Sequence, residues 1–426
     1  MLISNGEELL REFSKGAYPY EVYQINDRVC HVVGLGHSNS CVIEGDTSVI
    51  LVDALDTDLR AEKLKSLIRE KTDKPVRTII YTHGHPDHRG GAAAFKDTVQ
   101  EIIMFGPKKP VLKHTDRIGG ILAKRTNRQF GYGLSDEECF CQGIGIREGK
   151  ACGEGNYNFL PPDTVYHEEE VEREIDGVKM KMVSAVGETD DQMFIWLEED
   201  GVICCGDNYF GCFPNLYALR GSQYRDAAAW VDSLEKIMEY GAKALLPGHT
   251  KPVLGSDNVR EVLGNYKDAI EYILLNTLDC MNRGMSMSQC AEQVVLPEKY
   301  RKLPYLGEFY GAAEWAVKGI YTGYVGWFDG NPANLHPLPD QEFSSKLVSM
   351  ISAEKVLEES REAMENGSFQ MALQLCDLLI QAKEEESAAK QLKRQALLAL
   401  ARQETSANGR NYYMMSAKEM EAGDRE

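Results

Sequence analysis

At 426 residues, 43% of them hydrophobic and 27% charged, the chain has room for two or three domains and a substantial core. The 66 acidic and 47 basic residues give a net charge of −19, which argues against nucleic acid or an anionic membrane as partner, since both reward basic surface. No apolar run is long enough to span a bilayer, the first residues lack the basic and apolar regions of a secretory signal, and eleven scattered cysteines make no disulfide framework, so a cytoplasmic protein with reduced thiols is expected.

In chain order, residues 21–55 alternate short apolar runs (Val29 to Val33, Cys41 to Ile43, Val49 to Val52) with turn residues, which predicts a β-meander. An amphipathic helix is predicted over Asp58 to Lys71 and a β-branched strand over Val76 to Tyr81. The strand runs straight into Thr82-His83-Gly84-His85-Pro86-Asp87-His88. Side chains two apart share a face in extended chain, so His83 and His85 point together while Asp87 and His88 serve a second position. Three imidazoles and a carboxylate within six residues suit two adjacent transition-metal ions, and the nitrogen-rich donor set favours zinc over magnesium or calcium. Cys139 and Cys141 have no second pair at zinc-site spacing and read as buried thiols.

Strands return between about 163 and 206, through Val178 to Val183, Met193 to Leu197 and Val202 to Cys205. A helix from about Asp226 to Glu239 and a strand Ala244 to Leu246 lead into Pro247-Gly248-His249. Two β-rich runs, each followed by helices, predict an α/β fold of two sheets packed face to face with helices outside. From about 257 the β signal disappears, and helices are predicted over 257–283, Glu308 to Tyr324, 353–366, 369–383 and 386–403. Ala372 to Leu379 has the texture of a tetratricopeptide-type pair, but one pair makes no repeat array. The expected domains are 1–275, mixed α/β, and 276–426, helical.

Two ions need ligands beyond the first cluster. Glu188 lies in a polar turn between strands, Asp207 directly follows the strand ending Cys204-Cys205-Gly206, and His249 directly follows another. Alone, Glu188 and Asp207 are ordinary turn residues; in this order, after the histidine cluster, the set resembles the metallo-β-lactamase superfamily, whose ligands sit at successive strand ends.

Asn215-Leu216-Tyr217-Ala218-Leu219-Arg220-Gly221, Tyr305-Leu306-Gly307-Glu308-Phe309-Tyr310-Gly311, Gly326-Trp327-Phe328-Asp329-Gly330-Asn331-Pro332-Ala333-Asn334-Leu335 and Asn411-Tyr412-Tyr413 narrow the resemblance to the alkyl sulfatase branch. It extends over residues 20 to 420. It implies an αββα sandwich followed by a helical dimerisation domain, hence a homodimer, and hydrolysis of organic sulfate esters to sulfate and alcohol by a water activated between two metal ions. In this branch a glutamate stands where the superfamily usually has histidine, as Glu188 does here. The implied ligand sets are His83, His85 and Glu188 for one zinc and Asp87, His88 and His249 for the other, bridged by Asp207. The bridge is more often glutamate, so the shorter Asp207 must approach more closely.

Asn215 and Arg220 match the branch's sulfate-holding pair, and Asp87 would also orient the water. A guanidinium fork suits an oxyanion. Where relatives place a sulfate-contacting histidine, this chain offers Trp315 or Glu314. The chain stops short of a third, lipid-carrier-like domain, which implies a shorter, bulkier or more polar organic group than a long alkyl tail; Tyr321, Tyr324, Trp327 and Phe328 are candidate pocket walls. The competing readings are a thioesterase, lactonase or phosphodiesterase on the same scaffold, a di-iron redox protein, and a non-enzymatic helical scaffold.

Overall fold

The strands that the sequence marks as apolar on both faces build the centre of the molecule. In the computed structural model, which describes residues 2–423, β1 (Glu21–Gln24), β2 (Val29–Val33), β3 (Ser40–Glu44), β4 (Val49–Val52), β5 (Val76–Ile80), β6 (Glu101–Phe105) and β7 (Thr164–Tyr166) form one sheet in that order. It is antiparallel from β1 to β4 and parallel from β4 to β7. A second sheet runs β13 (Val253–Leu254), β12 (Ala244–Pro247), β11 (Val202–Gly206), β10 (Met193–Leu197), β9 (Val178–Ser184), β8 (Glu170–Ile175), antiparallel except for β11 against β12.

Alternation along each strand divides the apolar residues between two layers. Ile43, Ile50, Val52, Ile80 and Phe105 from the first sheet meet Met182, Met193, Ile195, Val202 and Leu246 from the second in one dry core. The residues between them point outward: Val32, Val42, Leu51 and Ile79 pack on Ala61, Leu64 and Ile68 of the helix Asp58–Lys71. On the far side Phe194, Ile203 and Leu245 pack on Trp230, Leu234 and Ile237 of Ala227–Glu239 and on Leu263, Ile270 and Ile273 of Ser256–Asn282. This is the αββα sandwich that the motifs imply. At about 25 cal/mol per Å² of apolar surface buried, each fully enclosed leucine, isoleucine or phenylalanine contributes about 1.5–3 kcal/mol.

The helices Ala353–Glu365, Phe369–Ala382 and Glu386–Gln403 stand within a residue of their sequence-predicted limits. The helix expected from Glu308 instead begins at Ala313. Gly311 lies so close to the chain at Pro214 that a Cβ there would sit 2.1 Å from its carbonyl oxygen, which holds 308–312 out of a helix, and Glu308 Oε1 accepts from the Ala313 amide at 2.9 Å. Four helices of twelve residues or more had no sequence expectation: Gly6–Ala17, Gly119–Phe130, Asp340–Ile351 and Ala407–Gly423. The last returns to the sandwich and lies on Gly119–Phe130, through Arg128 to Glu419 and the Asn411 amide to the Gln129 carbonyl at 3.3 Å. All eleven cysteines are free thiols, and among the described residues no helix is long and apolar enough to cross a membrane.

Candidate metal centre

The strands β4, β5, β11 and β12 end at one edge of the sandwich. Past β5 come His83, then His85, then the helical turn Pro86–Arg89 carrying Asp87 and His88, its proline at the first helical position where no amide donor is needed. Asp207 follows β11, His249 follows β12, and Glu188 lies in the turn between β9 and β10. Two cross-links close this edge: the Met193 amide donates to the Thr82 carbonyl at 3.0 Å, and the Asn39 side chain donates to the carbonyls of Pro247 and Thr250 at 3.1 and 2.7 Å.

The seven predicted ligands come together in this one place. Asp207 Oδ2 is 3.7 Å from His83 Nε2 and 3.4 Å from His249 Nε2, while its Oδ1 is 3.4 Å from His88 Nε2. Asp87 Oδ2 is 3.4 Å from both His88 Nε2 and His249 Nε2. His85 Nδ1 is 4.0 Å from Glu188 Oε2. His83, His88 and His249 are fully buried, and each presents an Nε2 without a hydrogen-bond partner.

Buried polar atoms are ordinarily paired, so this convergence of bare donors needs an explanation. Two nitrogen or oxygen ligands about 2.0–2.1 Å from one tetrahedral ion stand roughly 3.4 Å apart, the spacing found here. The donor set therefore fits divalent cations. Asp207 falls both in a group with His83 and His88 and in one with His85 and Glu188; a third group joins His37, Asp87 and His249. Glycine makes room for the short aspartate: a Cβ on Gly248 would lie 2.3 Å from Asp207 Oδ1 and 2.7 Å from His88 Cε1, and Gly206 has φ +50° with Thr82 2.8 Å away.

The inner ring nitrogens are aimed by fixed partners, an arrangement typical of metal-binding imidazoles. His88 Nδ1 bonds Asp53 Oδ2 at 2.7 Å, and Asp53 accepts in turn from the Thr82 amide at 2.8 Å and hydroxyl at 2.7 Å. His249 Nδ1 donates to the His37 carbonyl at 2.9 Å. Burial disfavours the charged form of His249, but Asp207 and Asp87 outweigh it and push its pKa up to about 9. His85 is driven well below the ordinary imidazole value by burial, with His83 and Arg220 adding repulsion. Burial pushes Glu188 up to about 7 against the opposing charge of Arg225, which bonds Glu188 Oε1 and the Asn215 carbonyl.

A cavity of about 310 Å³ opens over these groups, lined at its floor by His85, Asp87, Glu188, Asp207 and His249. Arg220 lines it too, its Nη2 3.2 Å from His85 Nε2 and its amide donating to Gln129 Oε1 at 2.7 Å. Asn215 is buried beside Arg225, both atoms of its side-chain amide unpartnered, and does not line the cavity. Neither Trp315 nor Glu314 lines it; Glu314 is exposed and pairs with Lys318, and Tyr310 occupies that wall instead. The aromatics expected to wall the pocket do not. Tyr321 is in the core, Tyr324 and Trp327 are exposed, and the aromatic walls are Phe130, Tyr132, Tyr157 and Tyr310. The sequence reading missed Asp53, His37, Arg225 and Glu148, of which only Asp53 carried a signal: it follows an apolar strand as the ligands do.

With this geometry in view, residues 33–249 match the metallo-beta-lactamase superfamily and residues 286–423 match alkyl sulfatase dimerisation. The chain belongs to the metallo-beta-lactamase superfamily, in its alkyl sulfatase branch. It is 32% identical over 390 residues to a linear primary-alkylsulfatase of Pseudomonas sp., covering 89% of this chain and 73% of that one. Against the alkyl/aryl-sulfatase BDS1 of Saccharomyces cerevisiae it is 32% identical over 415 residues, 94% of this chain and 64% of that protein. A solved structure, the stereoselective inverting sec-alkylsulfatase Pisa1 from Pseudomonas sp., superposes with a TM-score of 0.87 at 27% identity over 99% of this chain and 68% of its own.

Proposed function

We propose that this protein hydrolyses organic sulfate esters to sulfate and an alcohol, using two zinc ions. His83, His85 and Glu188 would hold one ion and Asp87, His88 and His249 the other, with Asp207 placed to serve both. The observation that carries this reading is the convergence of unpartnered Nε2 atoms of His83, His88 and His249 on both oxygens of Asp207, beneath a cavity that also presents the Arg220 guanidinium. The relatives named above, alkylsulfatases by description, agree with it.

Bound there, divalent cations polarise the ester oxygens and lower the pKa of an attacking water. The chain's own groups do the rest. Arg220 offers parallel N–H donors to the sulfate oxygens. The Asn215 amide, although free of internal partners, stands outside the cavity and takes no part in holding the sulfate. Asp87, besides holding metal, orients the water by accepting a hydrogen bond from it. Residues 1–275 act as the catalytic unit and 276–426 as the dimerisation unit of a homodimer, with the division falling inside the continuous helix Ser256–Asn282. Ten buried free cysteines suit a reducing, cytoplasmic setting.

A screen of sulfate release over short primary, secondary and aryl sulfates, with metal analysis of the same sample, tests the proposal. Sulfate should appear from at least one class, vanish on chelation and return with zinc. Turnover of thioesters, lactones or phosphodiesters by the metal-loaded protein, with every sulfate ester inert, would assign the site to a different hydrolase.

A further inference from the structure

One wall of the cavity holds a buried acid that neither metal binding nor sulfate binding uses. Glu148 is 3% exposed at the start of the short helix Gly149–Cys152. Its Oε2 accepts from the hydroxyls of Tyr132 and Tyr157, and those two oxygens are 2.9 Å apart. Three oxygens thus lie within hydrogen-bond distance of one another, making three edges. With Glu148 ionised, both phenols donate to Oε2; with Glu148 neutral, its own proton closes the ring, Oε2 donating to one hydroxyl, that hydroxyl to the other, and the second back to Oε2.

The surroundings favour the neutral state. Burial, reinforced by the negative charges of Asp87 and Asp56 and opposed by the two hydroxyls, raises the Glu148 pKa to about 7. Lys150, which lines the same cavity, has its Nζ 5.0 Å from the Tyr157 ring centroid. Tyr132, Tyr157, Glu148 and Lys150 all line the same cavity as Asp87, Arg220 and His249. A neutral acid linked through phenols to a space shared with the ligands is the arrangement required to deliver a proton to a departing group.

Building on the sulfatase reading, we propose that the tyrosine pair protonates the departing alcohol oxygen, with Glu148 as the positioning residue that holds and replenishes the proton. A water oxygen bonds to sulfur and the bond from sulfur to the ester oxygen breaks, its electron pair going to that oxygen. The oxygen takes the proton of a tyrosine hydroxyl, and that hydroxyl takes the proton of Glu148. The carboxylate left behind accepts from both phenols and regains a proton from solvent, while both protons of the attacking water pass to solvent, a net release of one. The products are an alcohol and sulfate.

The test is the dependence on leaving group in the metal-loaded protein. A primary alkoxide is a poor leaving group and needs the proton, whereas 4-nitrophenolate departs without it. Glu148→Gln, Tyr132→Phe and Tyr157→Phe should each retain metal, and the Glu148 variant and at least one tyrosine variant should lower kcat/KM for a primary alkyl sulfate by about 10²-fold or more. The loss for 4-nitrophenyl sulfate should stay below about threefold, by the same reasoning. Equal losses on both esters, or none on either, overturn the proposal. Independently, wild-type turnover of the alkyl ester in ¹⁸O-water should place the label in sulfate. Label in the alcohol means carbon–oxygen cleavage, which needs no proton on the alcohol oxygen and also overturns it. A wild-type protein inert to both esters would instead remove the sulfatase reading beneath the proposal.

Discussion

At the ligand edge of the sandwich, His83, His88 and His249 are fully buried, and the nitrogen of each ring that faces away from the centre has a fixed partner. Across 324–351 several large side chains do the opposite: Trp327 is 76% exposed and Met350 70%, with Val325, Leu338 and Phe343 each above half. One region encloses polar groups whose donor set fits cations. The other leaves apolar groups in water that only another surface can satisfy, and it lies within the stretch matching alkyl sulfatase dimerisation. On the proposed reading, metal ions complete the first region and a second copy of the chain covers the other.

This contrast can be broken at either end. Replacing His85 and His88 together by alanine removes a donor from each side of Asp207, and we expect both metal content and turnover to be lost; a double variant with wild-type metal by elemental analysis would separate the cluster from metal binding. Arg225→Met should be the most costly single change to the fold. Arg225 and Glu188 are 4% and 3% exposed as a pair, and removing one partner of a buried pair costs about 3–5 kcal/mol. Chemical denaturation of the metal-free variant measures it, and zinc should restore part of the loss by giving Glu188 a new partner.

Arg220→Ala should leave metal content intact and lower sulfate-ester turnover about ten- to a hundred-fold, the equivalent of roughly 1.5–3 kcal/mol for a charged hydrogen bond. Arg220→Lys should recover only part, since lysine restores charge without the two-pronged geometry. Wild-type rates in the alanine variant would mean that the anion is held elsewhere. The smallest effect on the folded chain is expected from Trp327→Glu with Phe343→Glu. Exposed positions change stability by about 0.5 kcal/mol or less, yet sedimentation should shift from dimer to monomer. An unshifted dimer would place the interface outside this apolar surface.

How much of this was legible in the sequence follows the physics of each element. Strands buried on two faces, such as Val49 to Val52 and Val202 to Cys205, announce themselves as continuous apolar runs, and a ligand placed directly after such a run is readable: His83, Asp207 and His249 all were. Asp53 obeyed the same rule and was passed over because it binds a ligand rather than a metal. Ala407–Gly423 was invisible because polar groups interrupt its buried face: Ala407, Met415 and Ala417 share it with Asn408, which donates to the Tyr310 carbonyl, and Arg410, which donates to the Glu138 carbonyl. The acid cluster was equally hidden: Tyr132, Glu148 and Tyr157 are spread over 26 residues of loop and short helix and meet only in three dimensions.

The account stands on two cations sharing one aspartate beneath Arg220. Its most direct test is to strip the protein with chelator, titrate zinc back, and follow sulfate release against equivalents added. The rate should rise to a plateau at two zinc ions per chain. A plateau at one ion per chain, or full activity in the stripped protein, would contradict it.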